Sequence, residues 1–233
     1  MQTIIDALRE ALRLIVSLDP VVVEIALRSL QVTISALAIS VVLGIPLGAW
    51  LALARFPGKK LVTAIVYTGM GLPPVVVGLG VFLVFSRSGP LGDWGWLFTS
   101  SAMVVAQVII ATPLVMGVTM SSVAGVDPGL RPQLRALGAT PWQATWAQLI
   151  EARSGIIVGV VAGFGSIISE VGAVMLVGGN IAGRTRVLTT AIVLETRQGN
   201  FDIALALGII LLLLAFAANS ALILLQSRTG GTL

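Results

Sequence analysis

Neither a histidine nor a cysteine occurs in the 233 residues, so the chemistry open to the chain is that of carboxylates, hydroxyls, amides and cations. Disulfides, thiolate or imidazole metal sites, haem ligation and Cys- or His-based nucleophiles are excluded together. A membrane enzyme would need a catalytic constellation, and the carboxylates are scattered along the chain without clustering. One of them, Glu170, stands well inside an apolar stretch, where an ionisable group is costly and marks a functional candidate. Ser166 and Ser169 precede it and Asn180 follows. These four are the candidates for lining a pathway or gate. Further on, Arg184, Thr185 and Arg186 form a compact polar group, the candidate outer mouth, able to draw in an anion or dock a partner, and more strongly at low salt.

A second group of polar residues is gathered in one long interruption from Val126 to Ile157. Asp127-Pro128-Gly129 signals a turn, and Pro132 is tolerated in the first turn of a helix. A short helix is expected to follow, with Leu134, Ala136, Leu137 and Ala139 on its apolar side. Gly138 would allow another backbone to come close, and Pro141-Trp142 would bend the chain into a second helical piece. Such a segment is a knob for a partner.

The elements that must hold these groups are membrane helices. Hydrophobic residues make up 57% of the chain and charged ones 10%, with a mean hydropathy of +1.03, whereas soluble domains carry about 25% charged residues. The length allows about five or six spans of roughly 20 residues. The formal charge of +4 is spread over loops, and no motif supports nucleic-acid binding. Residues 1–28 form an N-terminal amphipathic segment, 29–226 the membrane domain, with the polar interruption at about 126–153, and 227–233 a tail of disordered composition.

In residues 1–19, Ile4, Leu8, Leu12 and Ile15 recur at helical spacing around the four charges Asp6, Arg9, Glu10 and Arg13, which predicts a helix lying in the membrane interface or packed on the protein's own flank. Asp19-Pro20 ends it, and a short helix through Glu24 and Arg28 leads to the first span, about 29–54, with Gly44, Pro46 and Gly48 in its second half. The turn after it is basic, with Arg55, Lys59 and Lys60. The second span, about 61–85, contains Gly69, Gly71 and Pro73-Pro74 and is expected to be broken. Trp94 and Trp96 suit the headgroup region, and the third span, about 101–122, carries Gln107, Thr112 and Pro113. In the fourth, about 154–178, Gly155, Gly159, Gly163 and Ser166 make a small-residue stripe for close helix packing, which Glu170 extends. Residues 178–201 hold an apolar middle too short to span, and the last span, 202–226, is interrupted by Asn219-Ser220.

The run from Arg135 through Ala136, Leu137, Gly138, Ala139, Thr140 and Pro141 to Trp142 resembles the cytoplasmic loop of the permease subunits of ATP-binding-cassette importers. The E-A-A triplet of that family's loop is replaced by Pro132-Gln133-Leu134, and the closing L-P by Ile150-Glu151. The resemblance implies an all-α integral membrane protein of the type I importer permease fold, with about five spans. It also implies that these eight residues dock on a cytoplasmic ATPase subunit, which puts the amino terminus outside and the carboxyl terminus inside. Basic residues divide seven against seven between the two sides and leave the orientation to that implication.

A second resemblance narrows the family. Ile168-Ser169-Glu170-Val171-Gly172-Ala173-Val174-Met175, continuing to Gly178-Gly179-Asn180-Ile181 and to Thr189-Thr190-Ala191-Ile192, looks like the permeases for molybdate and tungstate, closest to the tungstate branch. It implies a homodimer in a bacterial or archaeal plasma membrane, two ATPase subunits that hold ATP and magnesium, an extracytoplasmic oxyanion-binding protein, and no cofactor or catalysis in this chain. A secondary transporter is the alternative of a different class; it would bring inverted repeats and several intramembrane ionisable groups. If Glu170 were ionised in the pathway of a dianion, two charges about 4 Å apart at an effective dielectric of about 20 would repel by about 4 kcal/mol. Glu170 is therefore expected to face a helix interface.

Overall fold

The computed structural model describes residues 4–228, and the described residues are helices joined by turns. The amphipathic N-terminal pattern forms α1 (Ile4–Val16). Its buried face is not the one that the large apolar residues suggest. Ala7 and Ala11 are buried and Leu14 joins a cluster with Leu207, Ile210 and Leu211, while Ile5, Leu8, Leu12 and Val16 face outward. Small residues let α1 lie close to the final helix and leave its apolar stripe free.

Asp19 caps α2 (Pro20–Leu53), its Oδ1 accepting from the N–H of Val21 at 2.9 Å and of Val22 at 3.2 Å, with Pro20 at the first helical position. The separate short helix expected through Glu24 and Arg28 does not exist. Those residues begin a single 34-residue helix, about 50 Å long at 1.5 Å per residue. Pro46 lies inside it without ending it. Gly44 sits where a Cβ would come within 3.0 Å of Val115, and Gly48 lies against the Met116 carbonyl, so the glycines bring α2 onto α5 (Ser100–Ala124).

The second span is broken as the prolines require. α3 (Lys59–Met70) and α4 (Pro74–Phe85) meet at 98°. Between α4 and α5, Phe85, Trp94 and Trp96 form an aromatic cluster, the two indoles 4.9 Å apart. After α5 come α6 (Leu130–Ala136), α7 (Pro141–Glu151) and α8 (Arg153–Ile168), the last two bent by 63°. The small-residue stripe behaves as expected in part: Gly155 packs on Ser122, Gly159 on Val118 and Gly163 on Val115, all on α5, whereas Ser166 is exposed.

The fourth span is not continuous. It stops at Ile168 and resumes as α9 (Gly172–Gly178), so Glu170 lies in the break and not on a helical stripe. α10 (Leu188–Gln198) is short, and α11 (Phe201–Arg228) runs unbroken through Asn219, whose Nδ2 turns back to the Ala215 carbonyl at 2.9 Å. Ser227 and Arg228 thus end a helix; the remainder of the proposed tail lies outside the described residues. Among the described residues α2, α5 and α11 are each long and apolar enough to cross a bilayer, and the count reaches up to five if each bent pair, α3 with α4 and α7 with α8, is one span.

Candidate functional site

The polar interruption folds into two short helices at one end of the molecule. Asp127 Oδ1 accepts from the Gly129 N–H at 3.0 Å and starts α6. Gly138, at φ +92°, ends it in the left-handed conformation that favours glycine, and Ala139 N–H closes the turn on the Leu134 carbonyl at 2.9 Å. Thr140 then caps α7: its Oγ1 accepts from Gln143 N–H at 3.3 Å while Gln143 Oε1 accepts from Thr140 N–H at 2.8 Å. With Pro141 at the first helical position, this capping box sets the angle between the helices.

The inner side of this pair is anchored. Ala144 and Gln148 are buried, Gln148 Nε2 donates to the Val123 carbonyl at 3.1 Å, and Leu149, Ala152 and Ile156 pack with Ala49, Leu53 and Val123 at the ends of α2 and α5. The outer side is open. Arg135, Ala136, Leu137, Gly138, Thr140, Pro141 and Trp142 are exposed and Ala139 is half-buried. Leu137 is 85% and Trp142 71% accessible, and Trp142 stacks on Trp146 at 6.4 Å. A Cβ on Gly138 would meet nothing within 4 Å of the chain itself. The eight residues singled out in the sequence are therefore brought together on one apolar-aromatic knob.

At the centre, the two broken spans fit against each other. A Cβ on Gly78 would lie 2.6 Å from the Ala173 Cα, and one on Gly172 2.6 Å from Val75, so α4 and α9 touch almost backbone to backbone. The backbone groups freed by the break at 169–171 are taken up by neighbours. Gln107 Nε2 on α5 donates to the Ile167 carbonyl at 3.0 Å, Thr189 Oγ1 donates to the Glu170 carbonyl at 2.8 Å, and Glu170 Oε1 accepts from Ala173 N–H at 3.0 Å. Such a break is tolerated in a bilayer only where protein or a water-lined cavity satisfies it. Ser166 and Ser169 are exposed, and Ser169 Oγ turns back to the Gly165 carbonyl at 2.7 Å.

The third group is divided by the fold. Thr185 is buried, its hydroxyl donating to the Gly178 carbonyl at 2.6 Å and accepting from Ile181 N–H at 3.0 Å. Arg186 lies 3.9 Å from the buried Glu195, whose other oxygen accepts from Asn200. Asn180, at φ +51°, donates to the Thr190 carbonyl at 3.3 Å. Thr185, Arg186 and Asn180 hold the loop together, and of the expected outer mouth Arg184 alone is exposed. Arg28, which the sequence did not single out, clamps this loop by donating to the carbonyls of Arg184 and Gly183 at 2.6 and 3.0 Å, with Glu24 at 3.0 Å beside it. Gln107 and Thr189 were likewise missed as supports of the break. The only signal for Gln107 was an amide within an apolar run, Thr189 stood only within the Thr189-Thr190-Ala191-Ile192 run, and Arg28 carried none.

Comparison with known proteins places this geometry. Residues 44–231 match the family model for the binding-protein-dependent transport system inner membrane component. A probable anion ABC transporter permease protein of Haloferax volcanii is 44% identical over 90% of this chain and 92% of its own length. The tungstate uptake system permease protein TupB of Peptoclostridium acidaminophilum is 39% identical over 98% of this chain and all of its own. Among solved structures, an inward-facing conformation of the MetNI methionine ABC transporter superposes with a TM-score of 0.76 at 21% identity, over 91% of this chain and 97% of the other.

Proposed function

The chain belongs to the family of binding-protein-dependent transport system inner membrane components, and from that premise we propose that it is the permease of an ATP-driven importer of a tetrahedral oxyanion, tungstate foremost. It is a multi-pass membrane protein that transports and does not catalyse; ATP hydrolysis belongs to a separate subunit. The reading supposes two copies of this chain, two cytoplasmic ATPase subunits holding ATP and magnesium, and an extracytoplasmic protein that delivers the anion, in a bacterial or archaeal plasma membrane.

The knob of α6 and α7 carries the mechanism. Its exposed Leu137, Trp142 and Trp146 offer an apolar face to a groove on the ATPase, while Gln148 and the Ala49–Val123–Ala152 cluster tie it to the ends of α2 and α5. Closure of an ATPase dimer would pull two such knobs together and turn α2, α5 and α8 as a unit. The α4–α9 contact, where both broken spans meet, is the proposed gate, with Ser166, Ser169 and Glu170 near the pathway. Arg184 is the proposed collector of the anion at the outer mouth.

The decisive experiment is reconstitution in vesicles with the ATPase and binding protein, measuring ATP-dependent uptake of tungstate, molybdate and sulfate in competition. Tungstate uptake that molybdate cannot suppress at equal concentration is expected. Preferred molybdate uptake would move the substrate within the oxyanion class, and uptake driven by an ion gradient without ATP would overturn the reading in favour of a secondary transporter.

A further inference from the structure

The turn between α2 and α3 lies at the same end of the molecule as the coupling knob, because Ala52 and Leu53 pack with Val126 and Leu149. It encloses an open cavity of about 650 Å³ lined by Arg55, Phe56, Gly58, Lys59, Lys60 and Thr63. The Lys59 ammonium is already committed: it donates to the carbonyls of Ala52 and Ala54 at 3.1 and 2.9 Å and closes the last turn of α2. Arg55 and Lys60 are exposed, and neither meets a carboxylate among the described residues. Two unpaired cations therefore converge on a cavity whose lining holds no acid.

What rises from the cavity along both helices is apolar. Trp50, 55% accessible, stacks on Phe56 at 5.1 Å, with Leu47 exposed a turn further along α2 and Leu61 and Ile65 exposed on α3. A soluble anion or an acidic protein surface would match the cations and leave this flank uncovered. A phospholipid matches both, its phosphate on the cations and its chains along Leu47, Trp50, Leu61 and Ile65; tryptophan and basic residues are the side chains that sit at headgroup level. We propose that this cavity is a headgroup site for an anionic phospholipid of the leaflet on the coupling side. The bound lipid would brace the turn joining the first span to the broken second one.

The inference rests on the membrane setting and not on the transported ion. Native mass spectrometry of the purified permease–ATPase complex, offered phosphatidylglycerol and phosphatidylcholine in equal amounts, tests it. Each cation contributes a factor of about five, so a preference of about 30-fold for phosphatidylglycerol is expected. Arg55→Gln with Lys60→Gln should bring the ratio near one, while the charge-keeping pair Arg55→Lys with Lys60→Arg should retain it and shows that the turn still folds. Equal retention of both lipids by the wild type, an unchanged preference in the neutralised variant, or displacement of the lipid by millimolar inorganic phosphate would each overturn the proposal. Failure of tungstate uptake would leave this measurement unaffected, so the two readings fall separately.

Discussion

The Gln107 side-chain amide and the Ile167 carbonyl, 60 residues apart in sequence, are joined by a buried hydrogen bond of 3.0 Å. That bond ties α5, which leads into the α6–α7 knob, to the break between α8 and α9, which packs on α4. Gln107 is 3% accessible and the Ile167 carbonyl also accepts from the Glu170 N–H at 3.3 Å, so removing the amide forfeits one of two bonds to that oxygen, about 0.5–1.5 kcal/mol. Gln107→Leu should lower the thermal midpoint of the purified protein and impair transport. Unchanged stability would show that Ile167 has no need of the bond.

The contact of Gly78 with Ala173 leaves no room for a side chain. Gly78→Val should overpack the α4–α9 interface by about 1–3 kcal/mol and abolish uptake. Gly80, two residues on, faces open space within 4 Å, so Gly80→Val is the matched control and should transport normally. Equal behaviour of the two variants would remove α4–α9 from the gate.

Gly138 has two separable duties, the left-handed turn and the exposed surface of the knob. Asparagine accepts a positive φ better than other L-residues, so Gly138→Asn should keep the turn and Gly138→Leu should strain it by about 1–3 kcal/mol. Co-elution with the ATPase subunit reads the result. Binding retained by the Asn variant and lost by the Leu variant assigns the glycine to the turn; loss in both assigns it to the docking contact.

Arg184 and Arg186 should respond differently to neutralisation, although they stand two residues apart. Arg184→Gln is expected to slow uptake at low ionic strength and to matter little at high salt, as screened exposed charges do. Arg186→Gln leaves Glu195 buried without its cation and should instead lower stability, by about 1–3 kcal/mol, at any salt concentration. A salt-dependent uptake defect confined to Arg186→Gln would reverse the two assignments.

Glu170 is placed to cap α9, with Oε1 on the Ala173 N–H. Glu170→Gln keeps that acceptor and should assemble and transport almost normally, whereas Glu170→Leu should lose stability. A Gln variant that assembles and cannot transport would give the charge itself a part in gating.

The membrane class, the approximate number of spans, the helical pair in the polar interruption and the break after Met70 were legible in the sequence alone. Each depends on signals local in the chain: apolar run length, the Gly71–Pro74 interruption, and the turn and capping residues Asp127, Gly138, Thr140 and Pro141. The break at 169–171 has no proline to announce it, and Gln107 and Thr189, 60 and 19 positions away from their partners, donate to the carbonyls on either side of Ser169. The division of the outer polar group was equally hidden. Arg184, Thr185 and Arg186 are neighbours in sequence, yet one is exposed, one is buried in a loop staple and one is paired with Glu195. Local pattern reports which backbone groups a segment cannot satisfy alone, and only tertiary packing supplies the distant donors and acceptors that satisfy them.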